Sequence, residues 1–263
     1  MRFAVISDIH MGPEKFYKGV KLSLTDHALS CVKKFVDEIN QDPKIKFVVQ
    51  LGDVIDSTDL EYDKENYNLV LNLLKKLNCP VYHVVGNHDL QHLSEQGLKE
   101  IINYKELYYS FDVEDFHCII LFSKTIEKTD IKIDEEQINW LKQDLEKTNK
   151  KTLIFVHYSL SDQDLTGHSL FEGFPEVCLI QNREEIRSIL TESKKVIAVF
   201  IGHLHWNRID KHNSIPYFTL QSLVENLNNE GMPSNSYAII DLTKDSIKVD
   251  IKGNDPQVFE SKI

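Results

Sequence analysis

Cysteine is scarce in this chain: four residues in 263, at Cys31, Cys79, Cys118 and Cys178. No two stand in a CxxC or related cluster, which argues against a disulfide framework or a cysteine zinc site and leaves buried reduced thiols. Basic residues are also in deficit, 30 Lys and Arg against 41 Asp and Glu, for a formal charge of -11. That balance argues against nucleic acid as a partner, because such binding needs cations to neutralise phosphates. It leaves a small anionic substrate open, since bound metal ions can reverse the local sign. No apolar stretch approaches ~18 residues, and no basic segment with an apolar core precedes the first strand pattern. The expectation is a soluble cytoplasmic protein with no membrane partner. No linker, repeat or low-complexity segment interrupts the chain, so residues 1–263 are expected to form one domain, within the size of a large α/β unit.

What the chain does have is a series of short apolar runs, each ending in a metal-type residue. FAVIS leads into Asp8-Ile9-His10, FVVQL into Gly52-Asp53, and VYHVV into Gly86-Asn87-His88-Asp89. TLIFV leads into His157, and VIAVFI into Gly202-His203-Leu204-His205. A strand with both faces buried reads as such a run. Five strand ends of this kind can converge on one rim of a parallel sheet, where open α/β sheets place their chemistry. Carboxylates, an amide oxygen and imidazoles make a mixed N/O set, suited to first-row divalent or trivalent metals and not to calcium alone.

The pattern between the runs alternates. Strands are expected at Phe3–Ser7, Phe47–Leu51 and Val81–Val85. Helices are expected at Thr25–Asn40, with Thr25 as N-cap, and at Lys64–Leu77, with Leu69, Leu73 and Leu77 on one face. This order implies right-handed crossovers and a parallel sheet. A short helix at Glu95–Asn103 follows, then an antiparallel hairpin of Tyr108–Val113 and His117–Ser123. Asp134–Lys150 reads as a helix, Thr152–Val156 and Val196–Ile201 as strands, and Arg183–Thr191 as a helix between them. Tyr217–Leu220, Tyr237–Leu242 and Ile247–Ile251 read as short strands near a sheet edge. Two long loops, Met11–Leu24 and Ser159–Leu179, each follow a candidate ligand and are expected to wall the site or to be plain surface.

In extended backbone, residues i and i+2 point the same way. Asp8 and His10 would then address one metal with Ile9 turned inward, and His203 and His205 would share a face. The two oxygens of Asp53 could each bind a different ion, roughly 3.5–4 Å apart as in two-metal phosphohydrolases. Asn87 adds a hard oxygen and His157 another nitrogen. His88 should project towards substrate and can donate a proton near neutral pH. Asp89 beside it is expected to hold the other ring nitrogen.

D-x-H and a lone GD are weak signals, GHxH is moderate and GNHD is strong; their occurrence together and in order is specific. This order resembles the calcineurin-like metallophosphoesterase superfamily, pattern D-x-H, GD, GNH-[D/E], H, GHxH. Within it the chain looks most like the class III cyclic-nucleotide phosphodiesterases and related nucleotide diphosphatases. The resemblance implies a four-layer αββα sandwich, two mixed sheets flanked by helices. It implies two metal ions, Mn, Fe or Zn. One would be held by Asp8, His10, Asp53 and His205, the other by Asp53, Asn87, His157 and His203, with His88 as acid or transition-state stabiliser. The chain departs from the branch at Tyr158-Ser159-Leu160, where another His and a Pro are common, and at Leu121-Phe122-Ser123, where many members have an Asp.

The expected activity is therefore a dinuclear phosphohydrolase that opens a small phosphodiester or nucleotide-type phosphoanhydride by metal-bridged hydroxide attack, with His88, assisted by Asp89, protonating the leaving oxygen. A phosphomonoesterase or protein phosphatase on the same site is one rival, and a scaffold without metals another. A nuclease subunit sits poorly with the acidic balance. Asp56 reads equally as a ligand orienter or a turn cap. His168 reads as a solvated loop residue, Tyr158 equally as packing or recognition, Trp140 as packing, and His83 and His117 as structural. His27, His92 and His212 carry no pattern, and Phe16, Tyr17 and Lys18 read as a surface loop.

Overall fold

The apolar runs are doubly buried because their two faces serve different layers. In β1 (Arg2–Ile6), Phe3 and Val5 enter one core while Ala4 and Ile6 enter another. The computed structural model describes residues 1–263 apart from 18–19, 127–128 and 227–230. Helices α1 (Ala28–Asn40) and α2 (Leu60–Leu74) link β1 to β2 (Ile45–Gln50) and β3 (Val81–His83), and the three strands pair in parallel. After α3 (Glu95–Ile102) come the hairpin β4 (Tyr109–Val113) and β5 (Phe116–Ile120), α4 (Glu135–Lys147), β6 (Lys151–Val156), α5 (Arg183–Ser193) and β7 (Val196–Ile201). The chain ends in β8 (Arg208–His212), β9 (Ile215–Thr219), β10 (Tyr237–Leu242), β11 (Ser246–Lys252) and β12 (Gln257–Lys262).

Two mixed six-stranded sheets result, ordered β12-β11-β10-β1-β2-β3 and β8-β9-β7-β6-β5-β4. The core between them is rich in phenylalanine: Phe3 stacks on Phe47 at 4.7 Å, Phe155 on Phe200 at 5.2 Å, and Phe3 meets Phe200 edge-on at 5.7 Å. A second core lies between the first sheet and α1, α2 and α3, built on Val32, Phe35, Tyr67 and Val70. A third lies between the second sheet and α4 and α5, built on Ile138, Leu141, Ile186 and Leu190. The layers run helix, sheet, sheet, helix, as the resemblance implies. Burial of these side chains, ~1.5–3 kcal/mol each, is the main driving force for the arrangement.

Helix starts follow their caps. Asp59 accepts from Glu61 N and Tyr62 N at 3.1 and 3.0 Å, Ser94 from Gly97 N at 3.0 Å and Asp134 from Gln137 N at 2.9 Å. Asp59 starts α2 earlier than the apolar pattern suggests, and it turns Leu69 to solvent, 43% exposed, in place of the buried Tyr67 and Val70. Thr25 does not cap α1: it opens a 3-10 turn, Thr25–His27, and donates its hydroxyl to Pro13 O. Of the three C-terminal strands expected near an edge, β9 and β11 stand second from one and β10 lies further in. β10 pairs antiparallel with β1 inside the first sheet, and β9 pairs in parallel with β7. β8 and β12 are strands the apolar pattern does not announce, since their burial is only partial.

Candidate metal centre

The residues predicted for the site follow the C-terminal ends of the parallel strands β1, β2, β3, β6 and β7. Those ends meet at one rim, where the loops are laced together through backbone. Asp8 N donates to Gly52 O at 3.1 Å, His10 N to Asp53 O at 3.0 Å and Gly202 N to His157 O at 3.1 Å. Five of the seven candidate ligands hold left-handed backbone: φ is 50° at Asp8, 47° at His10, 53° at Asp53, 63° at His203 and 50° at His205. Such a conformation costs roughly 1–2 kcal/mol at each non-glycine residue and persists only where the surroundings impose it. The extended i, i+2 geometry therefore does not apply here. Ile9 and Leu204 still turn fully inward. Their flanking pairs behave differently: Asp8 and His10 enter one cluster, whereas His203 and His205 enter two.

The first cluster joins Asp8, His10 and His205. His205 Nε2 lies 3.2 Å from Asp8 Oδ1 and 3.0 Å from His10 Nε2, so two imidazole nitrogens and a carboxylate converge on one point. The second joins Asp53, His157 and His203. His157 Nε2 lies 3.3 Å from Asp53 Oδ2 and 3.1 Å from Asn87 Oδ1. Asp53 links the clusters through a single atom. Its Oδ2 is 3.8 Å from His10 Nε2 and 3.3 Å from His157 Nε2, while Oδ1 accepts from His88 N at 2.8 Å. The expectation of one oxygen per ion is thus corrected, because the backbone of the GNHD turn occupies the other.

The far ring nitrogens show which atom is left for a cation. His157 Nδ1 donates to Leu51 O at 2.8 Å, which leaves Nε2. His203 Nε2 faces Val177 O at 3.2 Å, which leaves Nδ1. Asp8 accepts from Ser7 Oγ and from His203 N at 3.1 Å. Burial would raise the Asp8 pKa, but the His205 charge and hydrogen bond outweigh it and hold the carboxyl at about 2. Asp53 is held well below the usual range, burial again being overcome, here by His157 and His88. Burial drives His10 down to about 4, helped by His88. Burial would lower His157 and His205 as well, but Asp53 and Asp8 outweigh it and raise them to about 9 and about 10. Ionised carboxylates, imidazole nitrogens and an amide oxygen, buried apart from the half-buried Asn87 and His205, fit a pair of first-row metal ions.

His88 Nδ1 stands 3.1 Å from Asp56 Oδ1, and the His88 ring meets His10 edge-on at 4.8 Å. Asp89 is not at this ring. It is fully buried, and its oxygens accept from Asp53 N at 3.0 Å, Val54 N at 2.8 Å, Ile55 N at 3.4 Å and Gly86 N at 2.9 Å. The expected partnership with His88 is replaced by Asp56, because Asp89 points under the turn and ties the GD loop to the GNHD loop. Burial and Asp53 push its pKa up to about 7, yet four amide donors favour the ionised form.

Asn87, His88 and His203 open onto a cavity of about 1000 Å³, walled further by Phe122, Tyr158 and Phe171. The loop after His157 supplies Phe171, stacked 5.1 Å from the His203 ring. His168 in that loop is buried, not solvated: Nε2 meets Leu204 O at 2.6 Å, and Nδ1 accepts from Leu170 N and Phe171 N at 3.2 Å. The loop after His10 carries a short antiparallel pair, Lys15–Tyr17 with Val20–Ser23; Phe16 is exposed, and Lys18 lies outside the described residues. His83 and His117 are buried in the body, and Tyr158 packs on His203 at 4.3 Å. Three residues near the site carry no signal in the sequence. Ser222 Oγ donates to Asp8 O at 2.7 Å, Ser7 bonds Asp8, and the Glu225 carboxylate lies 3.7 Å from His205 Nδ1.

Two donor clusters linked by one carboxylate at the rim between two mixed sheets form a candidate centre for two metal ions. Residues 1–207 match the family Calcineurin-like phosphoesterase, and the chain belongs to that family. It is 22% identical over 210 residues to a "Probable cyclic nucleotide phosphodiesterase" of Fibrobacter succinogenes, covering 78% of this chain and 73% of that one. It is 21% identical over 269 residues to the manganese-dependent ADP-ribose/CDP-alcohol diphosphatase of Homo sapiens, covering 77% and 76%. Among solved structures, a dimetal phosphatase from Danio rerio superposes with a TM-score of 0.78 at 17% identity, over 99% of this chain and 98% of that one. That likeness supports the fold.

Proposed function

We propose that this chain is a dinuclear metal-dependent phosphohydrolase that cleaves a phosphodiester or nucleotide-type phosphoanhydride, with His88 as general acid. The observation that carries the reading is Asp53 Oδ2, which faces both donor clusters at 3.8 and 3.3 Å beside the His88–Asp56 pair. Asp8, His10, Asp53 and His205 would hold one ion, and Asp53, Asn87, His157 and His203 the other. Bound Mn, Fe or Zn supplies Lewis acidity, which acidifies water and neutralises phosphoryl oxygens. The chain's own residues do the rest. Asp53 keeps the two sets together, and the laced strand ends hold the donors in place before substrate arrives. His88, with Nδ1 turned to Asp56, gives its Nε2 proton to the leaving oxygen, and the Asp56 carboxylate favours the charged ring. The cavity beside His88 receives the leaving group; its size suits a substrate larger than a simple alkyl phosphate.

The diester or anhydride preference is supported by relatives described as phosphodiesterases and a diphosphatase, at low identity. The test is an activity panel on protein stripped with chelator and reloaded with Mn2+, comparing bis-p-nitrophenyl phosphate, p-nitrophenyl phosphate, cyclic nucleotides and ADP-ribose. Diester or anhydride turnover should exceed monoester turnover and vanish on chelation. A clear preference for p-nitrophenyl phosphate would move the assignment to a phosphomonoesterase. No turnover with both ions bound would make the chain a metal-binding scaffold.

A further inference from the structure

The segment after β9 crosses behind the first donor cluster and lies beyond the part of the chain that matches the family. It is tied to the strand end that carries Asp8: Ser222 Oγ donates to Asp8 O at 2.7 Å and Leu223 N to Ser7 O at 3.1 Å. Leu24 N bonds Val224 O at 2.9 Å, and Ser234 N bonds Glu225 O at 2.8 Å. Glu225 is therefore held rigidly on both sides, and it is 2% exposed. One carboxylate oxygen accepts from Asn226 N at 2.7 Å, and the other lies 3.7 Å from His205 Nδ1. His205 presents its opposite nitrogen, Nε2, to Asp8 and His10.

The other cluster is backed differently. Its imidazoles, His157 and His203, turn their far nitrogens to the neutral carbonyls of Leu51 and Val177. A carboxylate behind a ligating imidazole fixes the proton on the far nitrogen and makes the near nitrogen a stronger donor. We propose that Glu225 is a positioning residue for the Asp8–His10–His205 set, which makes that set the tighter of two unequal cation sites. The inference rests on the two-cation reading above. Glu225 holds Nδ1 protonated and the ring oriented, so that Nε2 meets the cation without rearrangement.

The test is equilibrium dialysis of the apo full-length protein against Co2+ or Mn2+, with metal content read per chain. Wild type should bind two ions with separable affinities. Glu225→Gln, nearly isosteric, should weaken the tighter ion about tenfold and leave the weaker one unchanged. Glu225→Met, of similar volume, should do the same, which guards against a folding defect of one variant. A His205→Ala background supplies the control: there, Glu225→Gln should change nothing further, because the ring it positions is gone. Wild-type affinity in both Glu225 variants, or an equal loss at both sites, overturns the proposal, as does an undiminished effect in the His205→Ala background. Failure of the wild type to bind any cation would instead overturn the two-cation reading itself.

Discussion

Nδ1 of His88 lies 3.1 Å from Oδ1 of Asp56, a carboxylate that is almost wholly buried. The contact orients a ring at the mouth of the cavity. His88→Ala should lower kcat by ~10²–10⁴, the usual contribution of a positioned acid, while dialysis still finds the wild-type metal content. Asp56→Asn should lose a smaller part of kcat and move the alkaline limb of the pH–rate profile to lower pH, because a general acid fails as it deprotonates. Normal turnover in the His88 variant would remove it from the mechanism.

Asp89 is expected to behave as a structural residue. Asp89→Ala leaves four backbone amides around Asp53 and Gly86 without their acceptor. Buried donors of this kind cost roughly 1–3 kcal/mol each when orphaned. Urea denaturation of the metal-free protein should show a loss of at least ~3 kcal/mol. An unchanged midpoint with lost turnover would return Asp89 to catalysis.

Gly86 answers a question of space. A Cβ there would fall inside van der Waals contact of Asp53 Oδ1 and Asp53 N. Gly86→Ala must displace the shared carboxylate, and overpacking at such a point costs ~1–3 kcal/mol. Metal titration of this variant should show both sites weakened together, because Asp53 serves both. Weakening of one site alone would contradict the shared role of Asp53.

His117 predicts a pH dependence far from the metal centre. Burial would lower its pKa, but hydrogen bonds to Asp144 at 2.8 Å and Asp112 at 2.7 Å outweigh it and raise the value above the usual 6.5. A group whose folded pKa is raised contributes its full stability below the unfolded pKa and loses it as pH rises through the folded one. Stability should therefore fall as pH climbs above about 6.5. His117→Gln should flatten that part of the urea midpoint profile; an identical slope in wild type and variant would reject the assignment.

Much of this is legible from residue order. Phe3-Ala4-Val5-Ile6 announces a strand buried on both faces, and the strand ends that follow such runs carry the donor residues. The start of α2 is less legible, because the apolar pattern begins the helix at Lys64, five residues after the Asp59 cap, and puts Leu69 on the buried face. β12 was hidden by its alternating, half-exposed side chains. Asp89 misled for a different reason. Adjacency in sequence suggests a partnership with His88, but a 3-10 turn at His88–Leu90 sends neighbouring side chains in different directions.

By itself the sequence determined the identity of the donors, their place at the ends of apolar strands, and hence the family and class of chemistry, because chemistry and burial pattern are properties of residues in order. The resemblance already divides the donors between two ions; only the tertiary structure decided what enforces that division. Left-handed backbone at five of them, and the packing of one sheet against the other, place His203 and His205 in separate clusters and leave Asp53 a single oxygen for both. The same packing brings Asp56 to His88 and Glu225 to His205 across 32 and 20 residues of chain. Such contacts depend on distances between segments, which no local pattern encodes.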